Sequence, residues 1–227
     1  MWFAILLKEW LKLRWSLAAL LAVHLGVLGY VFLTLRHQFQ IEHSEMIWYW
    51  AFELRRLLYT PLQYLPAFTG VALALAQFGP ERLNGRFRLS LHLPLRGDWL
   101  VWSWVAVGAL FGALLSSLTA LGLYLLIGQW FPREAAFSAV LTALPWLLGG
   151  WVAYFGANLA LLEPAWPRRL AYLGVSLAFL GLLYQERGYQ EYDQIFPALT
   201  GLALLFIPAV ILPAHRYRHQ AMIGGAS

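Results

Sequence analysis

Pro80-Glu81-Arg82-Leu83-Asn84-Gly85-Arg86-Phe87-Arg88, followed by Leu93-Pro94-Leu95-Arg96-Gly97-Asp98, is a charged stretch set between two apolar runs. A membrane span needs about 20 mostly apolar residues, and residues 57–78 and 99–127 supply them on either side. The stretch therefore joins two spans with little slack. Its basic excess is expected to face the cytoplasm, because Lys and Arg concentrate in the cytoplasmic loops of membrane proteins. Residues 79–98 read as a docking surface.

The composition beyond that stretch belongs to the same class. The chain is 61% hydrophobic and 12% charged, against about 45–50% and about 25% in a soluble domain. Its mean hydropathy is +0.62. The chain has no cysteine, which excludes disulfides, thiolate zinc sites and cysteine nucleophiles. A net charge of +5 does not imply nucleic acid here, since in a membrane protein the placement of basic residues outweighs their sum. Apart from Lys8 and Lys12 the basic residues are all arginine, a bias that suggests a bacterial origin and a cytoplasmic (inner) membrane.

The expected fold is an all-α integral membrane protein with six transmembrane helices preceded by an amphipathic interfacial helix. Residues 1–14 carry Lys8, Glu9 and Lys12 on one helical face, with Ser16 just beyond. That pattern suits a helix lying in the interface with Lys8, Lys12 and Arg14 toward anionic headgroups. No small-residue cleavage site follows it, so it does not read as a signal peptide. The spans are expected at about residues 15–35, within 57–78, 99–127 and 135–162, and at about 170–184 and 195–214. They form one domain over 15–214, with a basic tail at 215–227. Residues 47–59, rich in aromatics but carrying Glu53, Arg55 and Arg56, suit a surface-lying helix or an extension of the next span. Pro61 and Pro66 should bend the second span, and Pro197 and Pro208 should interrupt the sixth.

Six spans place both termini on one side. Eleven basic residues fall on the side of the termini, the 79–98 loop and the Arg168–Arg169 connector, and five fall on the other. The positive-inside rule makes the first side cytoplasmic.

Candidate chemistry is sparse. His24 stands alone in the first span and is expected to bond a neighbouring helix rather than a metal. Glu42, His43 and Glu45 form a small cluster in a solvated loop, and no metal site is expected there. No Gly-x-Ser-x-Gly elbow, His-Glu-x-x-His pair or Gly-x-x-x-x-Gly-Lys-[Ser/Thr] loop occurs, so neither hydrolysis nor nucleotide binding through a P-loop has a basis in this chain. No catalytic residue and no cofactor of its own is expected. In the third span Gly108, Gly112 and Ser116 recur at four-residue spacing, a small stripe that lets another helix approach closely. The partner helix is expected in the same chain, with a subunit interface as the alternative. Asn158, Ser116, Ser117 and Thr119 are the polar groups expected to line or tie the bundle.

The order of these parts resembles the permease subunits of type-2 ABC exporters. In that family an interfacial helix precedes six spans, and the loop between spans two and three carries a Glu-Arg pair, a glycine, a short apolar run, Leu-Pro and a basic turn. Here Glu81-Arg82, Gly85, Leu89 and Leu91, Leu93-Pro94 and Arg96 stand at those places, while Asn84 and Gly97-Asp98 depart from the usual pattern. The resemblance implies a half-transporter. Two permease subunits, identical or related, would form the path, and a separate ABC ATPase, holding ATP and Mg, would dock on Glu81, Arg82, Gly85, Arg86, Arg88, Pro94 and Arg96. The partners so implied are that ATPase, a second permease copy and membrane lipids. A non-transporting membrane anchor that recruits a cytoplasmic partner through the same loop is the alternative. The sequence does not name a substrate, although so few charges within the spans favour a hydrophobic or amphipathic compound over a small ion.

Overall fold

A computed structural model describes residues 2–83, 97–185, 188–213 and 215–216. Among them the chain is helical, without strands. The helices are α1 (Trp2–Ile41), α2 (Ser44–Trp48), α3 (Leu65–Leu83), α4 (Gly97–Ile127), α5 (Arg133–Leu162), α6 (Trp166–Leu183), α7 (Phe196–Leu204) and α8 (Phe206–Ala209). A π-helical turn at Tyr49–Glu53 and a 3₁₀ turn at Thr60–Leu62 link α2 to α3.

Four stretches are long and apolar enough to cross a membrane: Ile5–Ile41, Trp99–Ile127, Arg133–Leu162 and Phe196–Pro213. Two of the six expected spans therefore fall short of that measure. In α3 the apolar run ends in Gln77, Pro80, Glu81 and Arg82, and α6 begins with Arg168 and Arg169.

The N-terminal segment also differs from expectation. Residues 2–14 are the first turns of α1, which runs unbroken for 40 residues. At 1.5 Å per residue that is about 60 Å, twice the hydrocarbon thickness. No glycine or proline interrupts Trp2–Ser16, so nothing gives the chain a reason to bend there. The face with Glu9 and Lys12 turns into the bundle rather than toward headgroups. Glu9 is fully buried, and Lys12 is only 16% exposed.

Proline accounts for the other boundaries. Pro66 sits in the opening turn of α3 and Pro167 in that of α6, where a missing N–H costs nothing. Pro208 cannot donate to the carbonyl of Leu204, and the last apolar run breaks at Leu205 into α7 and α8. Pro80 forfeits one bond but does not end α3. Glu81 and Arg82 are consequently helical, and the connection to α4 is confined to residues 84–96, which lie outside the described residues.

Helix α5 is the centre. Half of its most apolar window is buried, against 22% in α1 and 28% in α4, and it touches α3, α4, α6, α7 and α8. It meets α3 backbone to backbone. A Cβ on Gly70 would strike the Gly150 carbonyl oxygen, and one on Gly150 would lie 2.8 Å from that of Pro66. Small residues at such a crossing let two helices approach until their main chains touch. The outer faces of α1, α4 and α6 carry exposed Leu25, Leu33, Leu110, Leu121, Leu170 and Leu177, as expected where lipid replaces water as the solvent.

Candidate functional site

The α3–α4 connection is rooted in a charged plate built from three helix ends. In α1, Lys8, Glu9 and Lys12 are spaced so that they share one face. In α3, Thr69, Leu73, Gln77 and Glu81 form a four-residue ridge that is buried along its length. The two faces meet through charge. Glu81 Oε1 lies 2.9 Å from Lys8 Nζ and 3.3 Å from Lys12 Nζ, and Lys12 Nζ also lies 2.8 Å from Glu9 Oε1.

The network continues inward. Gln77 Nε2 donates to Glu9 Oε2 at 2.8 Å and to the Trp104 carbonyl oxygen at 2.6 Å. Tyr154 Oη donates to Gln77 Oε1 at 2.7 Å. One chain of polar contacts thus links α1, α3, α4 and α5. Gly108 makes room for it, since a Cβ there would collide with Tyr154 Oη and Gln77 Oε1. A buried carboxylate is tolerated only when paired and hydrogen-bonded, and Glu9 meets both conditions.

Glu81 titrates accordingly. Burial pushes its pKa up, but hydrogen bonds and charge from Lys8 and Lys12 outweigh that and hold it below its ordinary value. Its second oxygen, Oε2, is buried without a hydrogen-bond partner among the described residues.

A second cluster borders the first. Glu163, fully buried at the end of α5, pairs with Arg216 at 3.1 Å and more loosely with Arg168 at 3.9 Å. Arg169 donates to the Glu163 carbonyl oxygen at 2.9 Å, and Arg82 donates to that of Leu161 at 2.9 Å. Arg82 therefore ties the end of α3 to the end of α5.

The residues singled out in the sequence separate as follows. Lys8, Lys12, Glu81 and Arg82 come together in the plate, whereas Arg14 is exposed and lies over the ring of Trp15. Gly85, Arg86, Arg88, Pro94 and Arg96 lie outside the described residues. Gly108 and Gly112 face Tyr154 and Leu73 of the same chain, and Ser116 is half-buried. His24 is buried, with Nδ1 2.7 Å from Thr119 Oγ1 and Nε2 2.8 Å from Thr69 Oγ1, so it joins α1 to α4 and α3. No group of three or more His, Cys, Asp or Glu among the described residues is placed to hold a metal ion.

Gln77 and Tyr154 are the members that sequence reasoning missed. Gln77 had a signal: it is the lone amide in the apolar run of α3 and lies four residues before Glu81. Tyr154 had none, being one of 11 tyrosines in a helix with no marked amphipathic face.

The fold and this plate define an all-helical protein with, among its described residues, four stretches able to cross a membrane and a pronounced concentration of charge at one end. No family model, no curated protein and no solved structure matches the chain.

Proposed function

We propose that the chain is the permease subunit of an ATP-driven exporter of the type-2 ABC class, with both termini and residues 84–96 in the cytoplasm. In this reading a segment within residues 57–78 and α6, of 18 residues, also cross the membrane and complete six spans, with Glu81 and Arg82 in the cytoplasmic loop of residues 79–98; spanning helices show about 17–25 residues. A second permease copy completes the path, and a separate ATPase binds the nucleotide.

The observation that carries the reading is the clasp of Glu81 by Lys8 and Lys12 at the root of the loop. A force applied to residues 84–96 acts on the end of α3. From there charge pairs and hydrogen bonds lead to α1, α4 and α5 without a solvated gap, which suits rigid-body motion of helices driven from a docked subunit. The order of loop residues from Glu81 to Arg96 and the eleven-to-five asymmetry of basic residues support the same assignment.

The test is co-purification with an ABC ATPase, ideally one encoded beside this chain, and stimulation of its hydrolysis. Gly85→Trp, within the loop, is expected to leave the protein inserted while abolishing both. Normal binding and stimulation by that variant would favour the anchor alternative. Glu81 is unsuited to this experiment, because it braces the bundle and its replacement perturbs folding as well as docking.

A further inference from the structure

At the end of the bundle opposite the charged plate, the π-helical turn, the start of α5 and the segment before α7 enclose a cavity of about 320 Å³. Its size is at the small end of the range, about 300–1,000 Å³, of pockets that hold small molecules. Phe52, Tyr59, Phe131 and Tyr189 wall it, with Arg55 and Gln190 among its lining.

Three backbone irregularities converge on this one space. The π-helical turn Tyr49–Glu53 contributes Phe52. Arg55 and Gln190 are the two non-glycine residues with positive φ among the described residues, at 48° and 55°. Arg55 stands where a helix end is usually closed by glycine: the Arg56 N–H donates to the Trp50 carbonyl oxygen at 2.9 Å across it, a bond of the kind that favours a left-handed residue between. An arginine there costs about 1–3 kcal/mol that a glycine avoids. Gln190 is pinned by its N–H donating to Thr142 Oγ1 at 3.2 Å, and its Oε1 accepts from Ser138 at 3.1 Å. π-turns and left-handed side chains gather at ligand sites because the rest of the fold can hold them there.

The polar groups offered to the cavity are donors. The Arg55 guanidinium has no carboxylate partner among the described residues. The Gln190 oxygen is taken by Ser138, which leaves its amide NH₂ to donate. No acid among the described residues lines the space. Aromatic walls with donors at one side recognise a flat apolar body bearing an acid group, and a guanidinium grips a carboxylate with two parallel bonds. Arg55 and Phe52 are exposed, so a ligand can reach the cavity from outside the bundle.

We propose that this cavity binds a small water-soluble amphipathic organic anion, an aryl carboxylate in its simplest form. The acid group pairs with Arg55 and Gln190, and the ring lies between Phe52, Tyr59, Phe131 and Tyr189. The site needs no ATPase, so it stands or falls separately from the exporter reading.

The test uses the full chain in zwitterionic nanodiscs, with 2-naphthoate as the probe and empty discs as the blank. Saturable binding of one naphthoate per chain is expected, with neutral 2-naphthylmethanol at least tenfold weaker. Arg55→Gln is expected to weaken naphthoate tenfold or more and to leave naphthylmethanol unchanged. Ala139→Trp, which fills the cavity, should abolish both. Thermal unfolding of each variant establishes that it is folded, and Arg55→Gly provides a second removal of the guanidinium with a relaxed backbone. Binding no greater than in empty discs, equal affinity for the neutral analogue, or unchanged naphthoate affinity in folded Arg55→Gln and Arg55→Gly would each overturn the site.

Discussion

The two ends of the bundle treat charge in opposite ways. At the plate, Glu9, Glu81 and Glu163 are buried, and each carboxylate has a cation within 3.1 Å. The bonds run across four helices. At the other end, Arg55 and Gln190 hold strained backbone angles and line a cavity that no acid among the described residues lines. A closed network of buried charge makes folding depend on every member, because removing one partner strands the other in a poor solvent. An open donor set is a cost to the empty protein that a ligand can offset. Substitutions at the plate should therefore be read in stability, and substitutions at the cavity in binding.

Glu81→Arg offers the hardest break of that contrast. It sets a third cation against Lys8 and Lys12 and should cost about 3–5 kcal/mol, seen as a large drop in the unfolding midpoint in detergent. A midpoint close to wild type would mean that the clasp is ornamental. Acid should act on the same group. Its folded pKa lies below the ordinary 4.5, so the clasp contributes fully above that value and is lost as pH falls through the folded pKa. The unfolding midpoint should hold steady down to about pH 5 and fall below about pH 4, with Glu81→Gln flattening that fall. An identical acid limb in Glu81→Gln would assign it to other carboxylates.

Gly150→Val probes the crossing that holds both ends in register. The added side chain meets the Pro66 carbonyl oxygen, which cannot move alone, and a loss of about 2–3 kcal/mol is expected. Tolerance of valine would show that α3 and α5 can separate without consequence. A smaller loss, about 1 kcal/mol, is expected for His24→Leu. Thr69 and Thr119 each have a carbonyl oxygen within reach, that of Leu65 at 2.9 Å and that of Leu115 at 3.0 Å, so neither hydroxyl is stranded when the imidazole is removed. A loss as large as that of Glu81→Arg would place His24 among the groups on which folding depends.

Arg55→Gly should have the smallest effect on stability and the opposite sign. Relief of the left-handed strain, less the added freedom of glycine in the unfolded chain, leaves the protein unchanged or about 1 kcal/mol more stable. Marked destabilisation would mean that Arg55 serves the fold, and would draw the two ends of the molecule together in kind.

The helical character of the chain, with stretches able to cross a membrane, was legible in its sequence, because apolar runs near 20 residues have one economical solution in lipid: helices that satisfy their own backbone. The 99–127 and 135–162 runs became α4 and α5 nearly as expected. Pro208 marked a broken last segment because proline withholds a donor, whereas Pro197, expected to interrupt it too, only opens α7. The grouping of Lys8, Glu9 and Lys12 on one face was equally local.

What that face touches was not local. A helix with Lys8, Glu9 and Lys12 on one side suits a headgroup layer or a buried acid equally well, and only the position of α3 chose Glu81 and Gln77 over lipid. The extent of α3 beyond Pro80 was likewise decided by contacts from other helices. The cavity left still less trace. Arg55 and Gln190 lie 135 residues apart, and positive φ at arginine or glutamine is imposed by surroundings, not by the residue. Sequence determined the elements through backbone hydrogen bonding and hydrophobicity, which act within a few turns. The tertiary structure decided which charges are closed upon each other and which remain open, because pairing is a property of distances across helices.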